Sequence, residues 1–324
     1  MVLVKKSKIM SIFYILLSIL YGYIFILIPH SYFKDRVNYL SYAENYDFFI
    51  DLKGSVFSLD GEIFFLYINK FLSLFFSPEG VVYFFVFFIN FTLCFIFFSY
   101  SRNFLLGLLG LLAFFLLPFG FSYQLGSLRQ SLAVSIFLLA VFYIRKVNIK
   151  LILVSIILGF IHTSFFILTP FLVADYFFLK FFPVDRWFYR TGLQALIALI
   201  FGLLLSVISK VFSVGKLEGY LQLDTGFGLF FIFFIPFLIV NLYRYYKLKQ
   251  VDYFVFLSIV GVLAYTIFYF LSPIAGRLIT IFIPFIFISI IKKMDFLNIF
   301  LLLYSIFVGG WLFLNGGYTL IMNI

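Results

Sequence analysis

Two arginines, one histidine and two carboxylates stand where an otherwise apolar chain has little reason to carry them. Arg129 lies in LGSLRQSLAVS at the start of one apolar run, and Arg277 in SPIAGRLI at the start of another. His162 sits in GFIHTSFF between two further runs, and Asp35 and Glu62 each open a short segment of mixed polarity. A guanidinium presents a planar fork of N–H donors, so two of them at one cavity suit a diphosphate. A carboxylate or an imidazole in the same cavity can take the proton of an attacking hydroxyl. Each residue also has a plainer reading. An arginine near the end of a membrane span snorkels to the headgroups. A lone histidine on an apolar helix is more often structural, and carboxylates favour solvated helix N-termini.

These residues are rare because the chain around them is so apolar. Of 324 residues, 65% are hydrophobic, 24% aromatic and only 11% charged, with a mean hydropathy of +1.18. Soluble domains run at about 45–50% apolar and about 25% charged, which excludes a soluble enzyme, a disordered tail and a nucleic-acid-binding module. Apolar runs of about 20 residues recur from end to end, and each can cross a hydrocarbon core roughly 30 Å thick. The expected fold is all-α: a polytopic helical membrane protein forming a single transmembrane domain over residues 1–324. The expected spans are 9–29, 79–98, 104–121, 128–146, 149–162, 165–182, 192–212, 227–245, 252–272, 276–292 and 296–314. KKSK at 5–8 followed by an apolar stretch imitates a secretory signal, but no small-residue cleavage site follows, so it reads as a retained first span. The 54 phenylalanines read mostly as lipid-facing bulk.

Sidedness follows from the basic clusters. Lys5/Lys6/Lys8, Arg102, Arg145/Lys146/Lys150, Arg186/Arg190, Arg244/Lys247/Lys249 and Lys292/Lys293 all fall on one side if 151–182 folds as a tight hairpin. With eleven spans and the amino terminus in the cytoplasm, most of the 23 Lys and Arg lie inside and most of the 13 Asp and Glu outside. That asymmetry is the positive-inside rule. The outer surface then holds two loops. Residues 30–78 carry short amphipathic helices, one with Tyr32, Tyr39, Tyr42 and Tyr46 at roughly helical spacing, as headgroup-level tyrosines would be. Residues 213–226 carry Glu218, Tyr220 and Asp224. Under this topology Asp35, Glu62, Arg129, His162, Tyr220 and Arg277 all lie at outer ends. Arg129 and Arg277 are notable there, since the outer side is depleted in arginine.

Other constellations are missing. There is no HExxH, P-loop, GxSxG or DxD, and the spacing converges no carboxylates or histidines for a metal. The single cysteine, Cys94, excludes an intrachain disulfide or a CxxC pair and reads as an inert buried thiol.

The ordered motifs are D-x-x-x-Y (Asp35, Tyr39), G-E-x-F (Gly61, Glu62, Phe64), L-R-Q-x-x-A (Leu128, Arg129, Gln130, Ala133), I-H-x-S (Ile161, His162, Ser164), L-x-P (Leu168, Pro170) and a late R-L (Arg277, Leu278). Over roughly residues 30–290 this set resembles the EpsG-like branch of the Wzy-type polysaccharide polymerases. Glu62 is followed by Ile63, where the pattern would have Pro or Gly. The resemblance implies a bacterial cytoplasmic-membrane glycosyltransferase of all-helical, GT-C-like architecture. Such an enzyme joins undecaprenyl-diphosphate-linked oligosaccharide units at the outer leaflet, without a metal or other cofactor and with inversion. It makes O-antigen, capsule or exopolysaccharide, with a chain-length regulator and a flippase of the same pathway as partners. Arg129 and Arg277 would hold the departing diphosphate. The base is left open among Asp35, Glu62 and His162, with a carboxylate favoured. Tyr39 and Tyr220 would stack on sugar rings, and Gln130 would bind substrate beside them. The competing readings are a ligase of lipid-linked glycans, or a flippase or exporter, which needs polar groups at several depths.

Overall fold

The computed structural model describes residues 8–53, 63–182, 186–211, 230–248, 252–271 and 275–316, whose regular elements are all helices. In chain order these are α1 (Lys8–Ile26), α2 (Arg36–Glu44), α3 (Tyr46–Lys53), α4 (Ile63–Leu72), α5 (Pro78–Tyr100), α6 (Phe104–Phe115), α7 (Pro118–Leu125) and α8 (Leu128–Ile144). There follow α9 (Ile149–Gly159), α10 (Ser164–Phe181), α11 (Trp187–Val211), α12 (Phe230–Leu248), α13 (Tyr253–Leu271), α14 (Ala275–Ile291) and α15 (Phe296–Leu314). Among the described residues 7 helices are long and apolar enough to cross a membrane, or 8 if a bent pair counts as one span. The expected count of eleven additionally enlists α8, α9 and α14, which are shorter.

Local sequence explains several of the boundaries. Ser77 caps α5 by accepting from the Gly80 N–H at 3.2 Å, with Pro78 in the first turn where no N–H is needed. The expected straight span 104–121 is instead broken: α6 and α7 meet at 91°. Leu117, preceding Pro118, is held extended (φ −92°, ψ 139°), because proline disfavours helical geometry in the residue before it. Gly120 then permits the fold-back, since a Cβ there would lie 1.8 Å from the Phe114 carbonyl oxygen. With 12 residues, α6 is about 18 Å long and falls short of a bilayer.

The chain forms two compact units. The first comprises Met1–Tyr143, Ile156–Thr163 and Ile290–Ile324, and the second Ile144–Ser155 and Ser164–Ser289. In the first, α1 runs antiparallel along α5, with Tyr14 stacked on Phe98 at 5.5 Å and Gly22 against Phe87. The outward side of α1 is strongly apolar, with Ile9, Ile12, Leu16 and Leu20 exposed, as a lipid-contacting face must be. Phenylalanine is not only a lipid-facing filler. Phe85, Phe97, Phe114 and Phe137 are fully buried, because tilted aromatic pairs fill the gaps between helices well.

In the second unit α13 packs on α11 and α12, and at Gly261 a Cβ would meet the Phe282 side chain of α14 at 2.2 Å. The hairpin expected over 151–182 is present as α9 and α10, tied by Ser155 and Thr169 hydroxyls 2.9 Å apart. Arg190, expected as a flanking cation of the cytoplasmic surface, is buried instead. Its Nε and Nη2 donate to the two Asp175 carboxylate oxygens at 2.6 and 2.8 Å, and Nη1 donates to the Tyr245 hydroxyl at 3.0 Å. An internal carboxylate has taken the place of the headgroups as its counter-ion.

Candidate active site

The polar segment between α1 and α5 folds inward. On α2 the residues Arg36, Tyr39 and Ala43 fall on one helical face and are all buried. The Tyr39 hydroxyl is hydrogen-bonded by both the main chain and the side chain of Arg129, the second residue of α8. Tyr39 therefore faces the interior rather than the headgroups. Burial pushes its pKa up to about 12, with the Arg129 charge pulling downward and exposed Asp35 adding a little upward, so the phenol stays neutral. The Arg129 guanidinium lies 5.4 Å from the Tyr42 ring centroid and 6.0 Å from that of Phe65, in cation–π reach of both.

Arg36 is the residue that sequence reading missed. Its guanidinium is 0% exposed. Nε donates to the Leu125 carbonyl and Nη1 to the Ile28 carbonyl, both at 3.0 Å, and the group lies 4.3 Å from the Phe33 ring centroid. Nη2 has no hydrogen-bond partner among the described residues. Leu125 is the last residue of α7, so the cation sits at the negative end of that helix. Burial lowers the Arg36 pKa to about 10, which leaves it charged at neutral pH. Through Arg36 on Leu125 and Tyr39 on Arg129, α2 thus grips the elbow between α7 and α8 at both ends. A usable signal was present: Arg36 is on the expected outer side, where arginine is as anomalous as Arg129. Replacing Arg36 by methionine should lower the thermal stability of the detergent-solubilised protein by about 1–3 kcal/mol, the worth of charge-assisted bonds to two carbonyls net of relieved desolvation. Lysine, which keeps the charge but lacks the planar fork that spans the two carbonyls, should fall between.

The elbow is tied into the core as well. The Tyr21 hydroxyl donates to Gln124 Oε1 at 2.5 Å, and Asn90 Nδ2 donates to the Gln124 carbonyl at 3.1 Å. From α4, Phe65 reaches Tyr39 at 5.9 Å and Tyr42 at 6.3 Å, while Phe64 N–H donates to the Phe160 carbonyl at 3.2 Å. Phe160 belongs to the turn that carries His162. That histidine is 7% exposed, and its main-chain N–H donates to the Leu158 carbonyl at 2.8 Å. An exposed Lys70–Asp47 pair at 2.6 Å joins α4 to α3.

The first unit therefore holds Asp35, Tyr39, Arg129, Gln130 and His162, with Gln130 buried directly after Arg129. Arg277 belongs to the second unit, exposed in the first turn of α14. Glu62 and Tyr220 lie outside the described residues. Among the described residues no cluster of three His, Cys, Asp or Glu could hold a metal ion.

Long apolar helices joined by a broken pair, with polar residues gathered at one elbow, define a multi-pass helical membrane protein. The sequence matches the EpsG family over residues 14–321, and the chain belongs to that family of polysaccharide polymerase-type membrane proteins. At that level it is a glycosyltransferase-type protein of polysaccharide biosynthesis that works on lipid-linked saccharides. No curated protein and no solved structure matches it.

Proposed function

We propose that this protein polymerises oligosaccharide units carried on undecaprenyl diphosphate, at the outer leaflet of the bacterial cytoplasmic membrane, without a metal and with inversion. The observation that carries the reading is the meeting of four distant segments in one unit. The Asp35–Tyr39 segment, the start of α4, the Leu128–Gln130 elbow and the His162 turn are linked through Tyr39, Phe65 and Phe160. In the proposed reaction a hydroxyl of the incoming unit attacks the anomeric carbon of the growing chain. The new glycosidic C–O bond forms as the bond to the diphosphate oxygen breaks. The electron pair leaves with the diphosphate, whose developing charge Arg129 and Arg277 stabilise. The hydroxyl proton passes to a carboxylate, Asp35 or Glu62, on the face opposite the leaving group. His162 holds the diphosphate or the sugar. Gln130 and Tyr220 contact sugar, while Tyr39 serves chiefly to fix Arg129, since its hydroxyl is already engaged there.

The reading includes a cytoplasmic amino terminus, eleven crossings with α8, α9 and α14 among them, and an all-helical, GT-C-like architecture. It is tested with purified protein in nanodiscs, the native lipid-linked unit and EDTA. A ladder of polymer on a gel is the expected result. No ladder, with the lipid-linked unit moving between leaflets in proteoliposomes, would make the protein a transporter.

A further inference from the structure

We propose that the groove between α1 and α6, floored by α5, seats the isoprenoid tail of the lipid carrier; this rests on the polymerase reading for the identity of that carrier. The groove is a cavity of about 310 Å³ within the first unit, with Leu17 and Tyr21 on one wall, Leu108, Leu112 and Phe115 on the other, and Cys94 at its floor. The floor is fully buried, whereas Leu108 and Leu112 on the α6 wall are 48% and 43% exposed, so the groove opens sideways as an entry for a membrane lipid must. From Phe104 to Phe115 the wall extends for roughly 16 Å, at 1.5 Å per helical residue. A chain lying there meets almost no polar group apart from the Tyr21 hydroxyl and the Cys94 thiol midway along it.

The polar end supports the choice of occupant. Tyr21 donates its hydroxyl proton to Gln124 at 2.5 Å, which ties the α1 wall to α7, and the track ends one turn further on where Phe25 meets Phe115 at 5.8 Å. The next carbonyl, that of Leu125, is held by the buried Arg36 guanidinium, and four residues further stands Arg129. Among the described residues the hydrogen-bond partners of Arg36 are two main-chain carbonyls and no carboxylate. An apolar track therefore leads to a cationic elbow, the complement of an amphiphile with a long hydrocarbon tail and an anionic head. A polyprenyl diphosphate is such a molecule, and its head is the group that the elbow arginine would grip. The break between α6 and α7 acquires a purpose on this view. It ends the groove wall at Phe115 and turns the chain so that tail and head sites adjoin.

The test uses the full chain in nanodiscs and a diazirine-bearing polyprenyl diphosphate as photoprobe, with adducts mapped by peptide mass spectrometry. Adducts are expected within residues 17–25 and 94–115, lost on adding excess undecaprenyl phosphate but kept with equal phosphatidylglycerol. A second measurement fills the groove. Leu108→Trp should raise KM for the lipid-linked unit roughly tenfold with little change in kcat, because tail contacts bind ground and transition states alike. Ile12→Trp, on the exposed side of α1, should leave both unchanged. Adducts elsewhere, or equal suppression by phosphatidylglycerol, would overturn the proposal, as would an unchanged KM in Leu108→Trp. Mapping does not depend on turnover. Groove adducts without a ladder would retain the tail site and sink the polymerase reading, whereas a ladder with adducts elsewhere would sink the groove alone.

Discussion

Replacing Arg129 by alanine is expected to cut the initial rate of polymer formation by at least about two orders of magnitude, with the protein still inserted and folded. The scale is that of removing one preorganised donor from a developing oxyanion, on the order of 10²–10³ in kcat. Arg129 is suited to such a role by its surroundings. The rings of Tyr42 and Phe65 lie within cation–π reach of its guanidinium, and Tyr39 fixes it by hydrogen bonding, so little reorganisation is needed when charge develops. Arg129→Lys should be nearly as impaired, because an ammonium has neither the planar fork nor the stacking face. Tyr39→Phe should cost less, roughly tenfold, since it loosens the arginine without removing it. Rates are read from the gel ladder and folding from the detergent melting temperature. A near-normal rate in Arg129→Ala would remove the diphosphate clamp. A loss confined to variants that also melt early would make Arg129 structural.

How much of this was legible in the sequence depends on the kind of residue. Helix positions followed from apolar runs, and the hairpin at 151–182 followed from the placement of basic clusters, because both rest on one-dimensional patterns. The break at 116–117 was missed although Pro118 and Gly120 announce it, because the surrounding apolarity looks the same for a straight span and a bent one. The link between Tyr39 and Arg129 could not be read from spacing, as it joins residues 90 positions apart. Arg36 and Arg190 failed for a shared reason. Hydropathy and charge place an arginine near the end of a helix but do not say whether the guanidinium turns outward to headgroups or inward to a carbonyl or carboxylate. Both turn inward here. For Arg190 the partner, Asp175, was visible in its span, and an acid inside an apolar run should have prompted a search for a base to neutralise it.

That buried pair carries the second large expectation, which concerns stability. Arg190 is bound on all three nitrogens, by Asp175 twice and Tyr245 once, and its guanidinium lies 3.6 Å from the Phe256 ring centroid. The residues come from α10, α11, α12 and α13, so one guanidinium joins four helices of the second unit. Arg190→Met or Asp175→Leu alone should each destabilise by about 3–5 kcal/mol, because each strands the opposite charge where water does not reach it. The triple change Asp175→Leu, Arg190→Met, Tyr245→Phe should recover most of that loss, since hydrophobic groups of similar volume can replace a buried ion pair at little net cost. Melting temperature followed by size-exclusion fluorescence in detergent distinguishes these cases. Single variants as stable as the parent would show that the pair does not hold the unit together. A triple variant that folds and still makes polymer would confine the pair to architecture. One that folds but makes none would draw the second unit into the reaction through more than scaffolding.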